Sequence, residues 1–246
     1  MAAAVPLGLA AVVIGLVCRA RRRHVTQMLR ELDRLPVDPV DIADIRQATA
    51  GVQGWLRPRA AERLYRLARV APIPIVIELG SWRGLSTAWM ARGLASRGDG
   101  RLYAIDTWAG TDADGHEPLV REAGGPDGLY HAFGQTLERA RASDRVVPFR
   151  GTTTQASVDP RIPSACGLLY IDADHAYDAV LQDYLSWAPR VVPNGFLVMD
   201  DVPLWSGPTR VAHAFAARDF DFVGQVNHQW IGRRRETAPA MSFSSS

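Results

Sequence analysis

From residue 73 onward the chain repeats one pattern: a short, continuous apolar run rich in β-branched residues, then a stretch of helical character. The runs are IPIVIEL (73–79), RLYAID (101–106), RVVPF (145–149), GLLYID (167–172) and GFLVMD (195–200). Continuous apolar strands alternating with helices imply a parallel sheet covered on both faces. Two later runs, DFVGQV (221–226) and QWIGRR (229–234), are separated only by Asn227 and His228. That spacing is a hairpin, so an antiparallel strand should close an otherwise parallel sheet. At 246 residues the chain exceeds a typical domain, yet one α/β domain can be this long. The expectation is therefore one doubly wound, Rossmann-like α/β domain over residues 73–235, with appendages.

The appendages differ in character. Residues 2–18 are 17 consecutive uncharged, mostly apolar residues, followed by Arg19 and Arg21 to Arg23. That is the lower limit for spanning a bilayer, and charge placed after the apolar stretch does not match a secretory signal. Residues 1–24 thus read as a membrane anchor, an extension upstream of a true start at Met28, or a docking helix. Were the segment an anchor, its arginines would hold the body on the cytoplasmic side. Residues 25–72 carry apolar positions three or four apart and read as a helical preface, and residues 236–246 lack periodicity and read as a disordered tail. The net charge of +2 divides unevenly. Residues 1–34 hold six arginines against Glu31 and Asp33, or +4, so the remainder sums to −2. A basic face for nucleic acid is not indicated. Two cysteines make a disulfide framework improbable and suit a cytoplasmic location.

In open α/β sheets ligands sit beyond the carboxyl ends of the strands. The first run ends in Glu78-Leu79-Gly80-Ser81-Trp82-Arg83-Gly84, a G-x-x-x-G loop with a bulky tryptophan inside it. A dinucleotide fingerprint requires G-x-G-x-x-G, and a phosphate-binding loop requires a lysine. All 28 basic residues are arginine, so the latter is excluded, as is Schiff-base chemistry. The second run ends in Asp106, 26 residues after Gly80, where an acid can accept ribose hydroxyls. An adenosine-containing ligand without a pyrophosphate satisfies both observations.

With Asp106-Thr107-Trp108 and the segment IDADHAYDAVLQDYLSWAPRVVPNGFLVMDD added, the chain resembles the class I S-adenosylmethionine-dependent methyltransferases over roughly residues 73–235. More narrowly it resembles the group containing macrocin O-methyltransferase-type enzymes and the related cephalosporin hydroxylase. The resemblance implies a seven-stranded sheet with its last strand antiparallel. It implies that Glu78, Gly80, Ser81 and Gly84 line the methionine part of S-adenosylmethionine, that Asp106 holds the ribose with Trp108 beside it, and that Gly151 to Gln155, Thr153 among them, contact the adenine.

The fourth and fifth runs end in Asp172 and in Asp200-Asp201. Converging carboxylates repel, and a hard divalent cation would relieve the repulsion. Metal-dependent relatives use acids at these positions, so Asp172, Asp200 and Asp201 are the expected Mg²⁺ ligands, the alternative being acids that cap the following helices. Deprotonation of an acceptor hydroxyl then falls to a nearby base, for which His175 is the first candidate and Asp174 the second. His116, in a glycine-rich loop, reads as a solvated histidine. Trp205 reads equally as a pocket wall or as packing. The expected activity is O-methylation of a small-molecule hydroxyl, with Mg²⁺ assistance, in a protein that is a candidate homo-oligomer. A hydroxylase-like enzyme on the same scaffold and a tethered cofactor-binding protein are the competing readings.

Overall fold

The computed structural model describes residues 33–34, 37–111 and 115–236. The segment expected to be an anchor or extension (1–24), most of the helical pattern at 25–35 and the tail from 237 lie outside the described residues. No helix among the described residues is long and apolar enough to cross a membrane.

Within residues 37–72 of the preface, two helices are described. Asp38 caps α1 (Pro39–Ala48) by accepting the Val40 N–H at 2.8 Å, and Pro39 occupies the first turn, where a missing N–H leaves nothing unsatisfied. The second helix, α2 (Pro58–Val70), also opens on proline and buries Ala61, Leu64, Leu67 and Ala68 on one face. Fully buried leucines contribute about 1.5–3 kcal/mol each, so core packing rather than capping docks this helix. It lies along α3 (Leu85–Arg97), and Gly93 marks the closest approach: a Cβ there would stand 2.3 Å from the Tyr65 carbonyl oxygen.

Seven strands form one sheet: β1 (Ile75–Leu79), β2 (Arg101–Asp106), β3 (Val146–Arg150), β4 (Cys166–Ile171), β5 (Val191–Met199), β6 (Phe220–Val226) and β7 (Gln229–Arg234). Their order is β3-β2-β1-β4-β5-β7-β6, and β7 alone runs against the others. The expected hairpin is therefore present, turning at Asn227 and His228. Pro148, which cannot donate to a ladder, sits on the edge strand β3. The fifth strand begins earlier than its apolar pattern, because Cys166 pairs with Val191 before a register shift brings Leu168 opposite Phe196.

Side chains sort by parity. Val76, Leu102, Ala104, Leu168, Tyr170, Phe196 and Val198 face one core, shared with α2, α3 and α5 (Gly125–Arg139), which follows the short α4 (Glu117–Glu122). Ile77, Leu79, Ile105, Leu169, Ile171, Leu197 and Met199 face the other, shared with α6 (Thr153–Ser157), α7 (Tyr177–Trp187) and α8 (Ser206–Val211). All six residues of β4 are buried, as befits a central parallel strand. The hydrogen-bond ladder also overruns the strands: Gly80 N–H donates to Ile105 O at 2.9 Å, Gly151 N–H to Asp106 O at 2.9 Å, Asp172 N–H to Leu79 O at 2.8 Å and Asp200 N–H to Ile171 O at 3.0 Å. Four loops thus leave the sheet from a common, stitched edge.

Candidate functional site

Above that edge lies a cavity of about 690 Å³, floored by Gly80 to Arg83, Asp106, Gly151 to Thr154, Asp172 to His175 and the Asp200–Asp201 pair. The volume falls within the range of small-molecule and cofactor sites. Its backbone is strained where three of the strands release their loops: Trp82 (φ 46°), Trp108 (φ 54°) and Asp201 (φ 59°) are all left-handed without being glycine. Such conformations cluster at functional sites.

Gly80 is left-handed too (φ 83°), and a Cβ there would lie 2.0 Å from the Asp172 carbonyl oxygen, so only glycine lets β1 and β4 release their loops side by side. Asp106, at the end of β2, ties down the backbone on both sides of it. Its Oδ2 accepts the Ser81 and Trp82 N–H groups, each at 2.8 Å, and its Oδ1 accepts the Trp108 N–H at 2.7 Å. A carboxylate offers about four acceptor positions, so about one remains for a hydroxyl in the cavity.

Three residues expected at the cofactor, Glu78, Gly84 and Trp108, stand outside the cavity lining. Glu78 is fully buried beneath the loop, accepting hydrogen bonds from Ser81 Oγ (2.9 Å), Ser86 Oγ (2.5 Å) and Thr87 Oγ1 (2.5 Å). Burial raises its carboxyl from 4.5 to about 7 against the pull of those three hydroxyls. Its position makes it a clasp under the loop rather than a wall. Trp108 is likewise fully buried, edge-on to Tyr130 and Phe133, and its indole N–H donates to the Trp82 carbonyl at 2.8 Å. Gly84 opens α3 and rests against Phe133, whose ring a Cβ would meet at 3.0 Å. By contrast Ser81 and Thr153 do line the cavity. Thr153 follows the capping box of Thr152 and Gln155, and its hydroxyl bonds to Asp183. Asp183, buried on α7 and raised to about 6 by that burial, also lines the cavity.

The three acids expected to bind one Mg²⁺ divide into two groups. Residues two apart share a face of a strand, whereas neighbours do not. Tyr170, Asp172 and Asp200 continue one face: the Tyr170 hydroxyl bonds to Asp172 Oδ2 at 2.9 Å and to Asp200 Oδ2, which also accepts Gln229 Nε2 at 3.1 Å. A phenol carries one proton, so it satisfies one of the two carboxylates at a time. Burial and mutual repulsion raise Asp172 well above the ordinary range, and burial raises Asp200 and Tyr170. Asp201 turns the other way, and its Oδ2 meets His175 Nε2 at 2.6 Å. No group of three or more His, Cys, Asp or Glu among the described residues is arranged to hold a metal ion. The donor set does not fit the expected cation, because two acids share a phenol and the third is engaged by a histidine.

His175 stacks on Trp205, with ring centroids 4.6 Å apart and planes within 4°. Trp205 is thus a cavity wall as well as the residue before α8. Asp174 accepts the Ala176 N–H at 2.7 Å at the mouth of α7 and shares the cavity lining with His175. Across the opening, His116 lies against Trp55 (5.3 Å) and Trp82 (5.2 Å), so it belongs to an aromatic rim rather than to solvent. Sequence reasoning missed Tyr170, Gln229, Trp55 and Asp183. Only Tyr170 left a signal, as a hydroxyl two residues before Asp172 in an otherwise aliphatic strand.

A family model described as "Methyltransferase domain" matches residues 77–202. An uncharacterized protein of Sinorhizobium fredii, y4gI, is 28% identical over 128 residues, covering 51% of this chain but only 13% of that protein. Among solved structures, the O-methyltransferase TomG of Streptomyces achromogenes, in complex with SAM, superposes with a TM-score of 0.57 at 16% identity, covering 87% of this chain and 98% of its own. An O-methyltransferase from Bacillus cereus in complex with SAH gives 0.56 at 18% identity, covering 87% and 99%. At these identities the likeness is one of fold.

Proposed function

The chain belongs to the methyltransferase-domain family, and from that premise we propose that it is an S-adenosylmethionine-dependent O-methyltransferase acting on a small-molecule hydroxyl. The observation that carries the reading is the His175–Asp201 pair opening onto the same cavity as Asp106 and the glycine loop. Gly80 and Ser81 would hold the amino-acid portion of the cofactor, Asp106 a ribose hydroxyl, and the Thr152–Thr154 segment the adenine. When bound, S-adenosylmethionine supplies a methyl group on a sulfonium sulfur.

An attacking hydroxyl must lose its proton as the new C–O bond forms. The His175–Asp201 pair takes that proton, holding it as an imidazolium beside a carboxylate, and Trp205 fixes the ring against rotation. Because the attack neutralises charge rather than creating it, orientation matters more than an oxyanion hole. The rim of Trp55, Trp82, His116 and Trp205 offers flat faces to a ring-bearing acceptor.

Calorimetry of the full chain with S-adenosylhomocysteine tests the reading, followed by methyl transfer to a panel of hydroxyl acceptors. Tight binding and an O-methylated product are expected, with turnover unchanged after EDTA dialysis. Absence of cofactor binding would overturn it, and restoration of activity by added Mg²⁺ would overturn the metal-free step.

A further inference from the structure

Seven large apolar side chains are exposed among the described residues, and three of them, Trp55, Leu204 and Trp205, border the cavity above the sheet. Exposed apolar surface gathered in this way marks a place where a ligand or partner binds. Two of the three are flat rings, each backed on one face by an imidazole. Trp55 stacks on His116 at 5.3 Å with planes 26° apart, yet it is 65% exposed. Trp205 stacks on His175 at 4.6 Å with planes 4° apart, yet it is 42% exposed. Each indole therefore has a set orientation and a bare face. Trp205 also lies against the residue proposed to take the acceptor's proton, so the group that carries the reacting hydroxyl packs beside that ring.

We infer that the acceptor is a planar aromatic compound bearing the hydroxyl on its ring, a phenol rather than a saturated alcohol or a sugar. The inference rests on the function proposed above and names its substrate class. Shape and acidity agree. A flat ring meets an indole face over its whole area, whereas a polyol placed there would lose water from hydroxyls that a carbon surface cannot bond. A phenolic hydroxyl ionises at about pH 10, about six units below a water-like hydroxyl, so it yields its proton to an imidazole far more readily. In the transfer, the phenol oxygen gains the methyl carbon as the sulfur–carbon bond breaks and its electron pair stays on sulfur, and the phenolic proton passes to His175. Trp55, remote from that chemistry, is a specificity-determining residue.

Calorimetric titration of the full chain with 2-naphthol and with decahydro-2-naphthol, each with and without S-adenosylhomocysteine, compares one carbon skeleton in its flat and its saturated form. The flat compound should bind tighter by about two- to tenfold for each indole face it covers, and it should be the one O-methylated when S-adenosylmethionine is supplied. Trp55→Leu should remove much of that preference and raise KM for 2-naphthol more than it lowers kcat, with affinity for S-adenosylhomocysteine retained. Trp55→Phe, which keeps a flat face, should restore most of the preference. Equal binding of the two compounds, comparable methylation of the saturated alcohol, or a preference that Trp55→Leu leaves intact overturns the inference. Dimerisation in sedimentation, or binding to phosphatidylcholine vesicles, that Trp55→Leu abolishes gives the rim to another occupant and overturns it as well. If wild type does not bind S-adenosylhomocysteine, the proposed function falls, while the titrations run without it still decide whether the rim takes aromatic rings.

Discussion

Replacing Glu78 by glutamine should change how stability depends on pH more than it changes stability itself. Glu78 is fully buried, and loss of water raises its carboxyl from 4.5 to about 7 despite three donated hydroxyls and with some help from the charge of Asp106. A carboxyl whose pKa is higher in the folded state contributes stability that is complete below 4.5 and is lost as pH rises through about 7. At about 1.4 kcal/mol per pH unit, that interval corresponds to about 3 kcal/mol. Glutamine fills the same volume without ionising, and the hydroxyls of Ser81, Ser86 and Thr87 can turn to meet its amide. Urea unfolding of both proteins between pH 4.5 and 8 gives the comparison directly, because the other titrating groups are common to both. The advantage of Glu78→Gln over wild type should grow by about 3 kcal/mol across the range and flatten above pH 7. A difference that does not vary with pH refutes the reasoning. One that varies in the opposite sense would mean that the three hydroxyls outweigh the loss of water.

The remaining expectations concern the cavity floor. His175→Ala and Asp201→Asn should each lower kcat by about 10²- to 10⁴-fold, the span ascribed to general acid–base catalysis, with calorimetric affinity for S-adenosylhomocysteine retained. Tyr170→Phe removes the proton shared by Asp172 and Asp200. Both carboxyls should rise further, and the variant should lose about 1–3 kcal/mol in urea unfolding, more at pH 8 than at pH 6, because a raised folded-state pKa sheds stability as pH increases. Gly80→Ala should lose more than the roughly 1–2 kcal/mol of a left-handed non-glycine residue, since its Cβ would meet the Asp172 carbonyl oxygen at 2.0 Å. A melting temperature close to wild type would contradict that contact.

Strand content was legible because burial on both faces of a parallel sheet forces continuous apolar runs, and the hairpin was legible because two residues fix its turn. The positions of Gly80, Ser81, Asp106 and Thr153 on the cavity follow from the rule that loops at strand carboxyl ends form the site. The fate of the acids was not read, although strand alternation contained part of it. Asp200 and Asp201 follow the end of β5 and diverge, one toward Tyr170 and the other, with a left-handed backbone, toward His175. Trp108, expected beside the ribose, has a left-handed backbone and a ring buried against Tyr130 and Phe133, a placement no apolar pattern encodes. The rim of Trp55, Trp82 and His116 joins residues far apart in the chain, and no local signal connects them.

The overrunning ladder bears on how such a protein can diversify. Gly80, Gly151, Asp172 and Asp200 are each tied by a backbone hydrogen bond to the neighbouring strand, so the roots of four loops move as a single plate. Trp55, His116 and Trp205 hang from segments outside that plate. On the proposed function, substitutions at the hanging residues would alter which acceptor is preferred while leaving the floor that holds the methyl donor in place.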